Sequence, residues 1–290
     1  MRIRNILLLI GFIVVSVACK QQTQSAEPTL MVTIEPLRYF TEQIVGEQFK
    51  VVSMVPKGTS PETYDPTPQQ LMALAKSKAY LQIGYIGFEL SWIDKLKENT
   101  PYLPFFDTSK GIQLIEAEDH NHGDHQHGGV EPHIWNSARN AKIIAQNILQ
   151  AVIQLDSIHK DDYTENYRKL VEELDETDKE IQNIIKEHPF AAGFMIYHPA
   201  LSYFARDYGI EQISIEKEGK EPTPSHLKKL IETCKAKNIH VIFVQPEFDI
   251  RNAEIIAEQT NSQIIPIDPL SYDWKEQMLH VAKSLILFIE

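Results

Sequence analysis

The sequence predicts an α/β protein built from two parallel-sheet lobes bridged by a long α-helix. Three observations carry that expectation. Short apolar runs alternate with amphipathic runs through both halves of the 290-residue chain, the rhythm of strands covered by helices. The rhythm stops between about Ser137 and Lys186, where no strand-like run occurs. Inside that interval one helical pattern persists for about 28 residues, a rod of roughly 40 Å at 1.5 Å per residue.

In the first half, "TLMVTI" (Thr29–Ile34), "FKVVSMV" (Phe49–Val55), "AYLQIG" (Ala79–Gly84) and "LPFFDTS" (Leu103–Ser109) read as strands. Between them, "LRYFTEQIVG", "PQQLMALAKSK" and "GFELSWIDKLKEN" read as helices. "SARNAKIIAQNILQAVIQL", from Ser137, is a further helix. The long pattern from Lys160 places Tyr163, Tyr167, Leu170, Val171, Leu174, Ile181, Ile184 and Ile185 mostly on one face and charge on the other. It breaks at "EHPF". The second half repeats the alternation, with strands in "AGFMIY", "IEQISI", "IHVIFV" and "QIIPID". Its helices are "ALSYFARDYG", "TPSHLKKLIETCKAKN", "RNAEIIAEQT" and "WKEQMLHVAKSLILFIE", and Thr223 before Pro224 fits an N-cap with proline at the first helical position. The expected division is an N-terminal lobe over 28–136, a helical connection over 137–187 and a C-terminal lobe over 188–290. The alternative is one continuous sheet with a helical insertion.

Residues 1–19 read as a targeting segment rather than as part of the fold. "MRIRN" is a basic start, and the apolar run from Ile6 to Cys19 is short for a spanning helix. "SVAC" resembles a bacterial lipoprotein lipobox, in which Cys19 carries lipid, although leucine is commoner than Ser16 at its position. An ordinary secretory signal cut near Ala18 is the alternative. Residues 20–27 form a polar tether. If Cys19 is lipidated, Cys234 has no disulfide partner, since the chain has two cysteines. A net charge of −12 argues against nucleic acid as the main partner and is compatible with a cationic ligand.

In open α/β sheets, ligands bind outside the carboxyl ends of strands. Several polar groups follow strand-like runs there. Glu62 and Asp65 follow "FKVVSMV", His198 follows "AGFMIY", Gln245 and Glu247 follow "IHVIFV", and Asp268 follows "QIIPI". His133 in "EPHIW" is flanked by Pro132, Ile134 and Trp135, the setting of a fixed side chain against a packed wall. Each has a plainer reading: a hydrogen-bonded structural histidine, a solvated turn glutamate, or an Asx turn at Asp268 before Pro269. Together, imidazoles and carboxylates form a donor set for Zn²⁺, and also for Mn²⁺ or Fe²⁺. A closed four-donor site binds metal without activating water.

"VPKGTSPETYDPTPQQL", "EPHIWNS", "FMIYHPALSYFARDYGI", "EGKEPTPSHLKKLI", "VQPEF" and "IDPL" occur in that order. In these segments the chain resembles the metal-specific solute-binding proteins of bacterial ABC transporters, the zinc/manganese cluster, over nearly the whole mature length. The resemblance implies two α/β lobes with the metal in the cleft between them. It implies His133, His198 and Asp268 as metal ligands, and Glu62 as the first ligand, where the family normally has a histidine. Glu62 hardens the donor set and moves preference toward Mn²⁺ or Fe²⁺, while zinc outcompetes manganese in raw affinity at most such sites.

A His- and acid-rich loop over 119–129, with His120, His122, His125 and His127, is a zinc-member trait in that family. Its glycines and lack of apolar residues suit a flexible collector that binds weakly. A solvated acidic loop is the alternative. The implied function is extracytoplasmic capture of Zn²⁺ as transported ligand and its delivery to an ABC permease and ATPase. The implied protein is a monomer, lipid-anchored on the periplasmic side of a membrane, and no enzyme. A metal-dependent hydrolase with Glu62 as general base is the rival, and it would need an open coordination position; the chain has no HExxH pair. A surface adhesin is a third reading with no residue of its own in support.

Overall fold

A computed structural model describes residues 27–116, 129–187, 193–216 and 219–286. The targeting segment with Cys19, the tether up to residue 26, and residues 119–128 of the His-rich loop, with His120, His122, His125 and His127, lie outside the described residues. Among the described residues, eight strands form two separate parallel sheets of four. The continuous-sheet alternative is therefore not what the chain adopts.

The first sheet contains β1 (Thr29–Val32), β2 (Lys50–Ser53), β3 (Ala79–Gln82) and β4 (Phe105–Asp107), in the order β2-β1-β3-β4. Its helices are α1 (Glu35–Val45), α2 (Pro68–Lys76) and α3 (Gly87–Asn99). Thr67 starts α2 with a reciprocal capping box to Gln70, ahead of Pro68. The second sheet contains β5 (Gly193–Ile196), β6 (Glu211–Ser214), β7 (Val241–Val244) and β8 (Gln263–Pro266), in the equivalent order β6-β5-β7-β8. Its helices are α6 (Ser202–Tyr208), α7 (Pro224–Ala236), α8 (Arg251–Thr260) and α9 (Trp274–Leu285). Thr223 caps α7 as its sequence suggests, accepting from the His226 amide. Strands β1, β3, β5 and β7 are apolar throughout or nearly so, because helices cover both faces.

Between the sheets run α4 (Ala138–Leu155) and α5 (Lys160–Glu187), the latter 28 residues long. Ser137 caps α4 by accepting from the Asn140 amide. Tyr163, Leu170, Leu174 and Ile181 form the buried stripe of α5, and exposed Arg168 pairs with Glu165 and Glu172 on its outer face. The helix touches both lobes. Asn166 donates to the Ile44 carbonyl at 3.1 Å, and Tyr39 donates to Glu173. At its other end, Tyr208 donates to Asp178 at 2.8 Å and Lys283 pairs with Glu180 at 3.0 Å.

The lobes also meet directly. Trp135 and Trp274 are almost fully buried, and each indole N–H crosses between lobes: Trp135 to the Pro269 carbonyl and Trp274 to the Trp135 carbonyl, both at 2.8 Å. Asn136 reaches the Ala200 carbonyl at 2.9 Å, and Tyr203 reaches the Glu131 carbonyl at 2.8 Å. One apolar core runs from Leu30 in β1 through α4 and α5 to Leu285 in α9, with a second, smaller core inside the C-terminal lobe. Among the described residues, no helix is long and apolar enough to cross a membrane.

Candidate metal centre

Parallel sheets put every strand's carboxyl end on the same edge. The order β6-β5-β7-β8 therefore sets four post-strand segments side by side: Glu216 after β6, His198 after β5, Gln245–Phe248 after β7 and Asp268 after β8. His198 and the Gln245 loop stand where chain direction across the sheet reverses, the usual ligand position in such folds. From the other lobe come Glu62, on the segment after β2, and His133, on the segment leading to α4.

His133 and His198 meet across the lobe boundary. Their Nε2 atoms are 3.1 Å apart, with ring centroids at 4.9 Å. Each Nδ1 is held by a carboxylate: His198 by Glu216 at 2.7 Å, His133 by Glu131. Both glutamates are largely buried, and both oxygens can only accept when ionised. Each Nδ1 then carries the hydrogen, and in the neutral ring each Nε2 keeps its lone pair. Two lone pairs facing each other at 3.1 Å repel unless a cation lies between or beside them. Burial works against charge on His133, but Glu131 first, then Glu62 and Glu216, hold its imidazole above the ordinary range. Glu131 is correspondingly held low: burial would raise it, and the His133 charge outweighs that. The pair is thus built to attract positive charge, from a proton or a metal.

The imidazoles are fixed from other sides. The Gln245 side chain accepts from the His198 amide at 3.2 Å and donates to the His198 carbonyl at 2.6 Å. The Phe248 ring stacks on His198, 5.1 Å away with planes 15° apart, and Trp135 backs His133 at 5.3 Å. Next to the pair is a cavity of about 30 Å³, walled by Glu62, His133, His198, Glu247, Phe248 and Leu270 among others. It is enough for one ion-sized or water-sized occupant.

Glu62 is positioned by the start of α3. Its Oε2 accepts from the Gly87 amide at 3.1 Å, a carboxylate at a helix N-terminus. Gly87 is glycine for steric reasons. A Cβ there would come within 2.6 Å of both the Glu62 carbonyl oxygen and Oε2. Asp268 is placed differently. Its Oδ1 takes the Leu270 amide at 3.0 Å, the Asx turn its sequence suggests, and it borders a neighbouring, larger cavity rather than the one between the histidines. Glu247, two residues past Gln245, does line the small cavity. Among the described residues, no three metal-ligating side chains already close on one point.

Of the four residues named from sequence, the structure thus gathers Glu62, His133 and His198 around one cavity and sets Asp268 beside it. Sequence reading missed the two carboxylates behind the imidazoles. Glu131 had a usable signal, two residues before His133 across Pro132. Glu216 had one too, since it follows the strand in "IEQISI", but it opens the charged run "EKEGKE" and reads as surface.

A family model described as the periplasmic zinc-uptake complex component A, ZnuA, matches residues 30–285. The chain belongs to the ZnuA family. The "manganese ABC transporter substrate-binding lipoprotein PsaA" of Streptococcus anginosus is 27% identical, the match covering 95% of this chain and 93% of that protein. A crystal structure of ZnuA superposes with a TM-score of 0.82 at 35% identity, covering 89% of this chain and 98% of that one. A zinc-bound ZnuA lacking residues 138–173 of its own chain superposes with a TM-score of 0.83 at 34% identity, covering 91% and 98%. The two-lobed fold with a helical bridge is thus the ZnuA-family fold, as the sequence segments imply.

Proposed function

We propose that this chain is the extracytoplasmic metal-capture component of an ABC transporter. In this reading it holds one divalent transition-metal ion, Zn²⁺, between His133 and His198 and passes it to a membrane permease and its ATPase. One observation carries the reading most directly: two imidazole Nε2 atoms from different lobes converge at 3.1 Å, each ring held at Nδ1 by a largely buried carboxylate. Carboxylate-backed histidine is the usual second layer of a metal site, where it sets the tautomer and raises ligand basicity. Zn–N bonds of 2.0–2.1 Å in tetrahedral geometry put two ligand nitrogens about 3.3–3.4 Å apart. The pair would open by only about 0.3 Å. Glu62 supplies a carboxylate from the N-terminal lobe, and Asp268 borders the neighbouring cavity.

No covalent chemistry is part of this function. Family membership and relatives named as ABC-transporter substrate-binding lipoproteins support that, and they support anchoring through Cys19 on the outer side of a membrane. The loop over 119–129 serves as an auxiliary collector. A second metal has a specific observation in its favour. Glu62 replaces a histidine with a hard oxygen donor, and a relative is named for manganese. Equal exposure of the metal-free protein to Zn²⁺ and Mn²⁺, followed by elemental analysis, separates the two. Zinc retained in excess, about one ion per chain, is the expected result; preferential manganese retention defeats the zinc assignment.

A further inference from the structure

Glu247 is a further acidic residue at the cavity. It lies on the loop after β7, between two residues that already grip His198. Gln245 bonds both backbone groups of His198, and Phe248 stacks on its ring. The turn is closed by the Phe248 amide donating to the Gln245 carbonyl at 3.3 Å. Glu247 is therefore carried by a loop tied directly to a metal-facing imidazole. Its side chain lines the same small cavity as Glu62, His133 and His198. Its Oε1 is buried without a hydrogen-bond partner among the described residues. Burial first, and then the neighbouring Asp268 charge, raise its carboxyl above the ordinary range, and His198 works against them. Asp268, by contrast, spends an oxygen on the Leu270 amide and borders the other cavity.

We propose that Glu247 supplies the carboxylate by which the C-terminal lobe completes the cation site. The inference rests on the metal-capture reading and deepens it. Each lobe then contributes one imidazole and one carboxylate: His133 with Glu62, His198 with Glu247. Two carboxylates neutralise a dication, which suits a site walled by Trp135, Phe248 and Leu270. The unpartnered oxygen gains its partner when the metal enters. Asp268 keeps its turn and acts on the site only through its charge.

The test uses the full-length protein, stripped of metal and titrated with Zn²⁺ against a chromogenic chelator. Glu247→Gln, Asp268→Asn and His198→Ala are compared with the parent, and urea unfolding checks that each is folded. Co²⁺ loading adds a spectroscopic readout, because its visible bands report the donor set rather than stability. The proposal expects Glu247→Gln to weaken Zn²⁺ at least tenfold and to change the Co²⁺ bands, Asp268→Asn to stay within threefold, and His198→Ala to lose tight binding. Parent-like affinity or unchanged Co²⁺ bands in Glu247→Gln, with His198→Ala still defective, overturns the assignment of Glu247 alone. A larger loss in Asp268→Asn than in Glu247→Gln also overturns it, by moving the role to Asp268. Tight binding surviving in His198→Ala overturns the capture reading itself.

Discussion

Single atoms decide the character of this site. The Glu216 carboxylate fixes the His198 tautomer from 18 residues away in sequence, at 2.7 Å. Glu216→Gln keeps an acceptor for Nδ1–H but removes the charge, and Glu216→Ala removes both. Zn²⁺ affinity is expected to fall about tenfold in the first and nearer a hundredfold in the second, measured by chelator competition; equal losses would mean that charge plays no part. Gly87→Ala should disturb Glu62 without touching the metal, because the added Cβ comes within 2.6 Å of two Glu62 oxygens, one of them backbone. Weaker metal binding with little loss of fold is the expected result.

A different carboxyl governs pH. Glu89 is 2% exposed, accepting from the Ile83 and Gly84 amides at 2.8 and 2.7 Å and from Thr33. Burial outweighs those donors and lifts it to about 8, against an ordinary value of 4.5. Between those values the folded chain holds a proton that the unfolded chain has lost. Stability should therefore fall as pH rises from about 4.5 to about 8, by up to about 1.4 kcal/mol per pH unit, and level off above. Glu89→Gln should be less stable overall, since its NH₂ must face a backbone N–H, and should lack that slope in urea unfolding at several pH values.

At the scale of elements, the strands and helices were legible because parallel strands buried on both faces are short apolar runs, and surface helices keep a 3.6-residue stripe. The long helix α5 shows the same logic, with Tyr163, Leu170, Leu174 and Ile181 on one buried line. His133 and His198 were legible as strand-end or wall-backed polar residues. Glu216 and Glu131 were not, because a carboxylate that orients an imidazole carries no pattern of its own; only the sheet order brings Glu216 beside His198. Glu247 stood at a strand end as plainly as Asp268, and which of them faces the cavity depends on a turn closed by the Leu270 amide. Helix α5 also helps to tie the lobes together. Leu174→Ala, at a fully buried position, should cost about 2–5 kcal/mol and lower the unfolding midpoint of both lobes together.

Across the whole molecule, one apolar core passes through both lobes, and reciprocal indole hydrogen bonds join Trp135 to the Pro269–Trp274 segment. Metal capture should therefore bring small lobe and loop adjustments rather than wide hinge closure. Paired metal-free and metal-loaded crystal structures check this, and a large domain rotation would contradict it. Deleting residues 119–129 should leave tight binding of one ion intact while slowing its capture. The central claim is that the ion lies between the lobes, at the converging imidazoles. Anomalous diffraction at the zinc edge from crystals of the zinc-loaded full-length protein tests it most directly. The account predicts one strong peak about 2.0–2.1 Å from Nε2 of both His133 and His198; a zinc peak elsewhere, with those two nitrogens left free, would contradict it.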